Sequence, residues 1–156
     1  MESYVGQKSH NWLAATFLVL ALMGAADAGY LTIKHYNGTP LACGITSGCE
    51  RVTASVYSKL MGVPVSLMGV MYYLLIAGLA GASLYAKDKA PLILASVFTA
   101  VGFLMSGWFV YLQLAVIKSI CMYCMLSAGT STMLFALGLY VLTKEFKYRK
   151  IVSLSQ

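Results

Sequence analysis

Residues 118–143 read KSICMYCMLSAGTSTMLFALGLYVLT, and this stretch decides the fold. Lys118-Ser119 is a polar break, and from Ile120 to Thr143 no charge occurs. A run of that length suits a helix crossing a hydrocarbon core of about 30 Å, which needs roughly 20 apolar residues. Cys121 and Cys124 then fall in the first helical turn, about 4.5 Å apart along the axis, one sulfur near the rim and the other nearer the lipid. There the unpaired backbone N–H groups and the positive end of the helix dipole stabilise a thiolate. The Cys-x-x-Cys spacing can also close into a readily exchanged disulfide. Cys121 is a candidate redox nucleophile.

Three more runs are long enough to span: Trp12 to Ile33, with Asp27 as its one charge, Val63 to Tyr85, and Pro91 to Ile117. The chain is 60% hydrophobic and 10% charged, with a mean hydropathy of +0.77. That is too little polar surface to cover a soluble globule. The expectation is an all-α integral membrane four-helix bundle, one domain over residues 1–156, with spans near 12–33, 63–85, 91–117 and 120–143. The first run is too long for the apolar core of a cleaved signal peptide. Ala86 to Ala90 is a linker short enough to make the second and third spans antiparallel neighbours.

Four spans put both termini on one side. Lys8, Lys87, Lys89, Lys144, Lys147, Arg149 and Lys150 share it, against Lys34, Arg51, Lys59 and Lys118 on the other. Positive charge prefers the cytoplasm, so the termini are expected there and the cysteines on the extracytoplasmic side, where disulfides persist. This bias accounts for the net charge of +6. The C-terminal basic cluster reads as an anchor among lipid headgroups, and no nucleic-acid partner is expected.

The one long connection, Lys34 to Gly62, carries a turn at Asn37-Gly38-Thr39-Pro40 and then Cys43 and Cys49 around a glycine-flanked loop. Val52, Val56 and Leu60 recur every four residues, which predicts an amphipathic interfacial helix lying as a lid over the bundle. Asp27 sits near the outer end of the first span, where an acid is a functional candidate. Pairing with Arg51 or Lys34 is the structural alternative and the favoured one. Gly24, Ala25, Ala26, Ala28 and Gly29 offer a small-residue packing surface. Trp108 and Tyr111 suit an interfacial aromatic belt, and they would also wall a flat aromatic ligand beside Cys124.

Two cysteine pairs on one face admit three arrangements. They are a tetrahedral zinc cage, fixed disulfides bracing a non-enzymatic four-span scaffold, or a disulfide relay. No His, Asp or Glu flanks the cysteines in a way that suggests metal passage, and the loop pair is flexible, so the relay is favoured without a metal. In a relay the loop pair serves a soluble partner and the buried pair a lipid-soluble acceptor.

Asp27-Ala28-Gly29-Tyr30-Leu31-Thr32 with His35-Tyr36, Cys43 and Cys49, Ser55, Gly62-Val63-Pro64-Val65-Ser66 with Gly69, and Cys121-Met122-Tyr123-Cys124 together resemble the vitamin K epoxide reductase family, in its prokaryotic branch. The resemblance covers roughly residues 12 to 143. It implies a bundle around a quinone pocket, with a quinone of the menaquinone, ubiquinone or phylloquinone type as electron acceptor. Electrons would come from a thioredoxin-like protein, here a separate one because no such domain is fused, to a monomeric enzyme. By resemblance Cys43 faces the partner, Cys49 shuttles to Cys121, and Cys124 meets the quinone. Ser55 helps hold the loop over the site, and Ser66, Trp108, Tyr111 and Asp27 are candidates for the pocket or for loop support. Val65 and Ala128 stand where the vertebrate enzymes carry an asparagine and a tyrosine that hydrogen-bond the quinone oxygens. Quinone reduction coupled to disulfide formation needs less of the site than epoxide reduction does, and it is what the resemblance to the prokaryotic branch implies.

Overall fold

The computed structural model describes residues 2–38, 48–60 and 62–154. Helix α1 (Glu2–Asn37) begins well before the apolar run, because the polar head contains no proline to stop it. It ends at Gly38, whose φ of 60° is the left-handed helix-ending conformation, with Lys34 and His35 in the last turn facing the negative end of the dipole. After α2 (Gly48–Thr53) come a single 3₁₀ turn (Val56–Ser58) and a two-stranded hairpin. In it β1 (Lys59–Leu60) runs antiparallel to β2 (Val63–Pro64), with Lys59 opposite Pro64. Helices α3 (Val65–Ala86) and α4 (Ala90–Tyr111) follow, the latter opening on Pro91 at its first turn. A π-helical turn (Leu112–Ile117) leads to α5 (Met122–Leu154).

Four helices are long and apolar enough to cross a bilayer: His10–Asn37, Val65–Ala86, Ala90–Ile117 and Met122–Lys147. The chain is a multi-pass membrane protein with an all-α four-helix bundle. Helix α1 packs chiefly on α3 and α4 on α5, while contacts of α1 with α5 and of α3 with α4 close the ring. Leu13, Ala14, Phe17 and Ala21 supply the α1 stripe of the core, at three- and four-residue spacing. Tyr73, Ile76, Ala77 and Ala80 supply that of α3, Leu92 and Ala95 that of α4, and Leu134 and Val141 that of α5. Large apolar side chains such as Met71, Leu104 and Leu126 point outward instead, toward lipid. Because lipid tails are as apolar as leucine, association rests on tight packing and buried hydrogen bonds.

At the end away from the cysteines, no buried side-chain polar atom among the described residues lacks a partner. Ser83 Oγ donates to the Asp88 carbonyl at 2.6 Å and lies 3.0 Å from His10 Nε2, tying the start of α1 to the α3–α4 linker. Asp88 Oδ1 accepts the Ala90 N–H, and Lys89 Nζ meets Glu145 at 2.9 Å.

Two expectations meet a different structure. The lid is helical only to Thr53. Thr53 Oγ1 donates back to the Cys49 carbonyl at 2.8 Å and Ser55 Oγ to that of Val52 at 2.7 Å, and Ser55 itself is extended, with ψ 155°. Such local side-chain bonds compete with helix propagation, so the four-residue spacing of Val52, Val56 and Leu60 does not become one helical face. Asp27 pairs with neither Arg51 nor Lys34: among the described residues the one salt bridge is Lys89–Glu145, and Asp27 Oδ2 is buried without a hydrogen-bond partner. Lys34 instead lies over the Tyr30 ring, 5.8 Å from its centroid.

Candidate functional site

The Cys-x-x-Cys forms the start of α5, with Cys121 one residue outside the helix and Cys124 in its first turn. Cys121 does the work of an N-cap: its Sγ accepts the Cys124 N–H at 3.4 Å and its carbonyl accepts the Met125 N–H. Sequence reasoning missed the residue that holds it there. Gln113, buried in the π-helical turn, accepts the Cys121 N–H on its Oε1 at 2.9 Å. Its own carbonyl accepts the Ser119 N–H at 3.1 Å, and the chain reverses through Lys118 at φ 52°. A six-residue stretch of π-helix, rare and commonest near functional sites, thus folds the break before Cys121 back onto α4.

Cys121 and Cys124 are free thiols, whereas Cys49 is disulfide-bonded. Cys43 and residues 44–47 lie outside the described residues. Hydrogen bonding from the Cys124 thiol most strongly lowers the Cys121 thiol from 9.0, to about 7. Burial opposes it, and the N–H groups of Cys124 and Tyr123 reinforce it. A large thiolate fraction at neutral pH makes Cys121 both a good nucleophile and a good leaving group.

Helix α2 comes down on this segment. Gly48 has no room for a side chain, since a Cβ there would run into the Ile120 carbonyl, the residue before Cys121. Cys49 follows Gly48, and both Cys49 and Cys121 are fully buried. Tyr123, between the two thiols, packs on Tyr30 of α1 with ring centroids 5.2 Å apart. Tyr73 donates from α3 to the Ser127 carbonyl at 2.8 Å, pinning the turn after Cys124.

Beside Cys124 lies a cavity of about 400 Å³, walled by α1, α3, α4, α5 and the lid. Cys124, Ser127, Ala128 and Ser131 line it from α5, the three- and four-residue spacing of one helix face. Cys121 is not among its lining residues. Ser55 and Ser66 line it, as do Val65 and Ala128. Trp108 and Tyr111 do not: they pack on each other at 5.8 Å on the outer face of α4, each 56% exposed. Asp27 is also outside the wall, next to the lining residue Ala28. A cavity of this size, mostly apolar with a few polar groups and a thiol at its edge, has the form of a small-molecule site.

A helical membrane bundle that holds a Cys-x-x-Cys thiol pair at a helix start, with one of its thiols on an apolar cavity, belongs to the class of membrane redox proteins. A model of the vitamin K epoxide reductase family matches residues 15–139, and the chain is a member of that family.

Proposed function

We propose that this protein is a membrane thiol–quinone oxidoreductase that generates disulfides. Electrons pass from a reduced, separate thioredoxin-like protein to Cys43/Cys49, then to Cys121/Cys124, then to a membrane quinone. The observation that carries this reading is the division of the dithiol: Cys124 lines the apolar cavity, while Cys121 follows Ile120, against which the Gly48–Cys49 turn is packed.

In this scheme the partner's two thiols reduce the Cys43–Cys49 disulfide and leave oxidised. The Cys49 thiolate attacks Cys121 in the Cys121–Cys124 disulfide, forming a Cys49–Cys121 bond and releasing the Cys124 thiolate. Cys43 then closes on Cys49, freeing Cys121. The resulting Cys121/Cys124 dithiol gives two electrons and two protons to the quinone, forming quinol and restoring its own disulfide. Termini in the cytoplasm, cysteines outside and a monomeric enzyme complete the reading, the first two supported by the seven-to-four distribution of cations.

Thiol trapping tests it. Cys124→Ala abolishes quinone consumption, and non-reducing peptide mass analysis detects a Cys49–Cys121 linkage in that variant. Full turnover without Cys124, or no such linkage under any redox poise, contradicts the reading and favours a scaffold with fixed disulfides.

A further inference from the structure

Among the described residues, three buried side-chain polar atoms have no hydrogen-bond partner: Asp27 Oδ2, Tyr72 Oη and Ser131 Oγ. Buried hydroxyls are nearly always bonded, because leaving one unpaired in an apolar place costs about 1–3 kcal/mol. Two of these three line the cavity. Ser131 is 1% exposed, so lipid headgroups and bulk water do not reach it. Tyr72 and Ser131 come from different helices, α3 and α5, yet their hydroxyls meet at one spot over Gly102 of α4. A Cβ on Gly102 would collide with both oxygens. They approach one another as weak hydrogen-bond partners, but no bond of full geometry satisfies either oxygen. Three other hydroxyls of the cavity wall are engaged: that of Tyr73 with Ser127, and those of Thr53 and Ser55 with backbone carbonyls.

Resting on the quinone reading above, we infer that Tyr72 and Ser131 donate hydrogen bonds to one carbonyl oxygen of the quinone ring. Gly102, lacking a side chain, leaves the room that brings the two hydroxyls together. The assignment follows from chemistry on three counts. Both groups are donors that lack an acceptor, the surrounding wall is apolar, and Ser131 stands two helical turns from Cys124 on the same face of α5. A ring held by one oxygen at the hydroxyl pair extends along that face toward the Cys124 thiol. Negative charge that develops on the held oxygen during reduction meets two donors already in position. Val65 and Ala128 line the same cavity and offer no side-chain donor that competes with the Tyr72–Ser131 pair.

The test compares two probes on the purified protein in detergent: menadione, and 2-methylnaphthalene, which keeps the ring and lacks the carbonyls. Tyr72→Phe retains the aromatic packing on Tyr73, whose centroid lies 5.1 Å away, and Ser131→Ala removes one oxygen. Each variant is expected to weaken menadione binding about five- to tenfold, as loss of one buried hydrogen bond does. The two together weaken it more, while 2-methylnaphthalene binding stays unchanged. If wild-type protein binds and reduces menadione and both variants match it, the hydroxyl assignment is overturned and the quinone reading stands. If both variants lose affinity for the two probes equally, the hydroxyls serve packing and the assignment is again overturned. If wild type neither binds nor reduces menadione, the quinone reading falls and takes the assignment with it.

Discussion

The two ends of the bundle treat their buried polar groups in opposite ways. Away from the cysteines, Ser83, His10 and the Asp88 carbonyl satisfy each other, and Ser96 and Thr99 bond to carbonyls in their own helix at 2.8 and 2.6 Å. Toward the cysteines, Asp27, Tyr72 and Ser131 keep unpartnered oxygens around a cavity and a pair of free thiols. Lipid gives no water to such groups, so incomplete hydrogen bonding is expensive and its clustering is informative. The satisfied end holds the helices together, and on the reading proposed above the unsatisfied end keeps donors for a ligand that enters.

Substitutions at the two ends should therefore fail differently. The largest effect is expected from Gly102→Leu. It displaces the Tyr72 and Ser131 hydroxyls from their shared place, raises the KM for menadione more than about tenfold and leaves thiol exchange between the cysteine pairs intact. Retained quinone affinity would show that the hydroxyls meet nothing there. Next, alkylation of Cys121 should follow its thiolate. A thiol lowered from 9.0 to about 7 reacts fully above that pH, and its rate falls about tenfold per unit below it. A midpoint near 9 would remove the special character of that end.

Gln113→Leu and Ser83→Ala make a matched pair. Each orphans buried groups, and each is expected to cost about 1–3 kcal/mol, seen as a lower thermal midpoint in detergent. Only Gln113→Leu, which frees the Cys121 N–H, should also shift the Cys121 alkylation midpoint and slow turnover. If Ser83→Ala slowed turnover equally, the division between the ends would not hold. The smallest effect belongs to Lys89→Ala. It breaks the bridge to Glu145, whose lysine side chain is half exposed, and should change stability by less than about 1 kcal/mol and activity not at all.

The bundle was legible because length and composition alone decide a membrane span: four uncharged or nearly uncharged runs could do little else. Their ends were less so. Helix α5 continues past Thr143 to Leu154 because Lys144 to Lys150 contains no Gly or Pro to stop it. The lid misled, since a four-residue apolar period outweighed the capacity of Thr53 and Ser55 to bond backward. In the site, the Cys-x-x-Cys carried its own signal in spacing and position. Gln113 carried none, because its partner is a backbone N–H reached only through the π-helical turn. Tyr72 and Ser131 were equally silent. One tyrosine and one serine in apolar helices look like packing until three helices bring them to the same point over Gly102.

The central claim is electron transfer from soluble thiols to a quinone through two protein dithiols. Its most direct test uses purified protein, a reduced thioredoxin-like substrate and menadione, with quinone loss followed by absorbance and substrate thiols counted in the same sample. The account predicts one quinone consumed for each substrate disulfide formed, with both processes lost together in Cys124→Ala. Substrate oxidation that proceeds without quinone loss, or quinone loss that persists in Cys124→Ala, would contradict it.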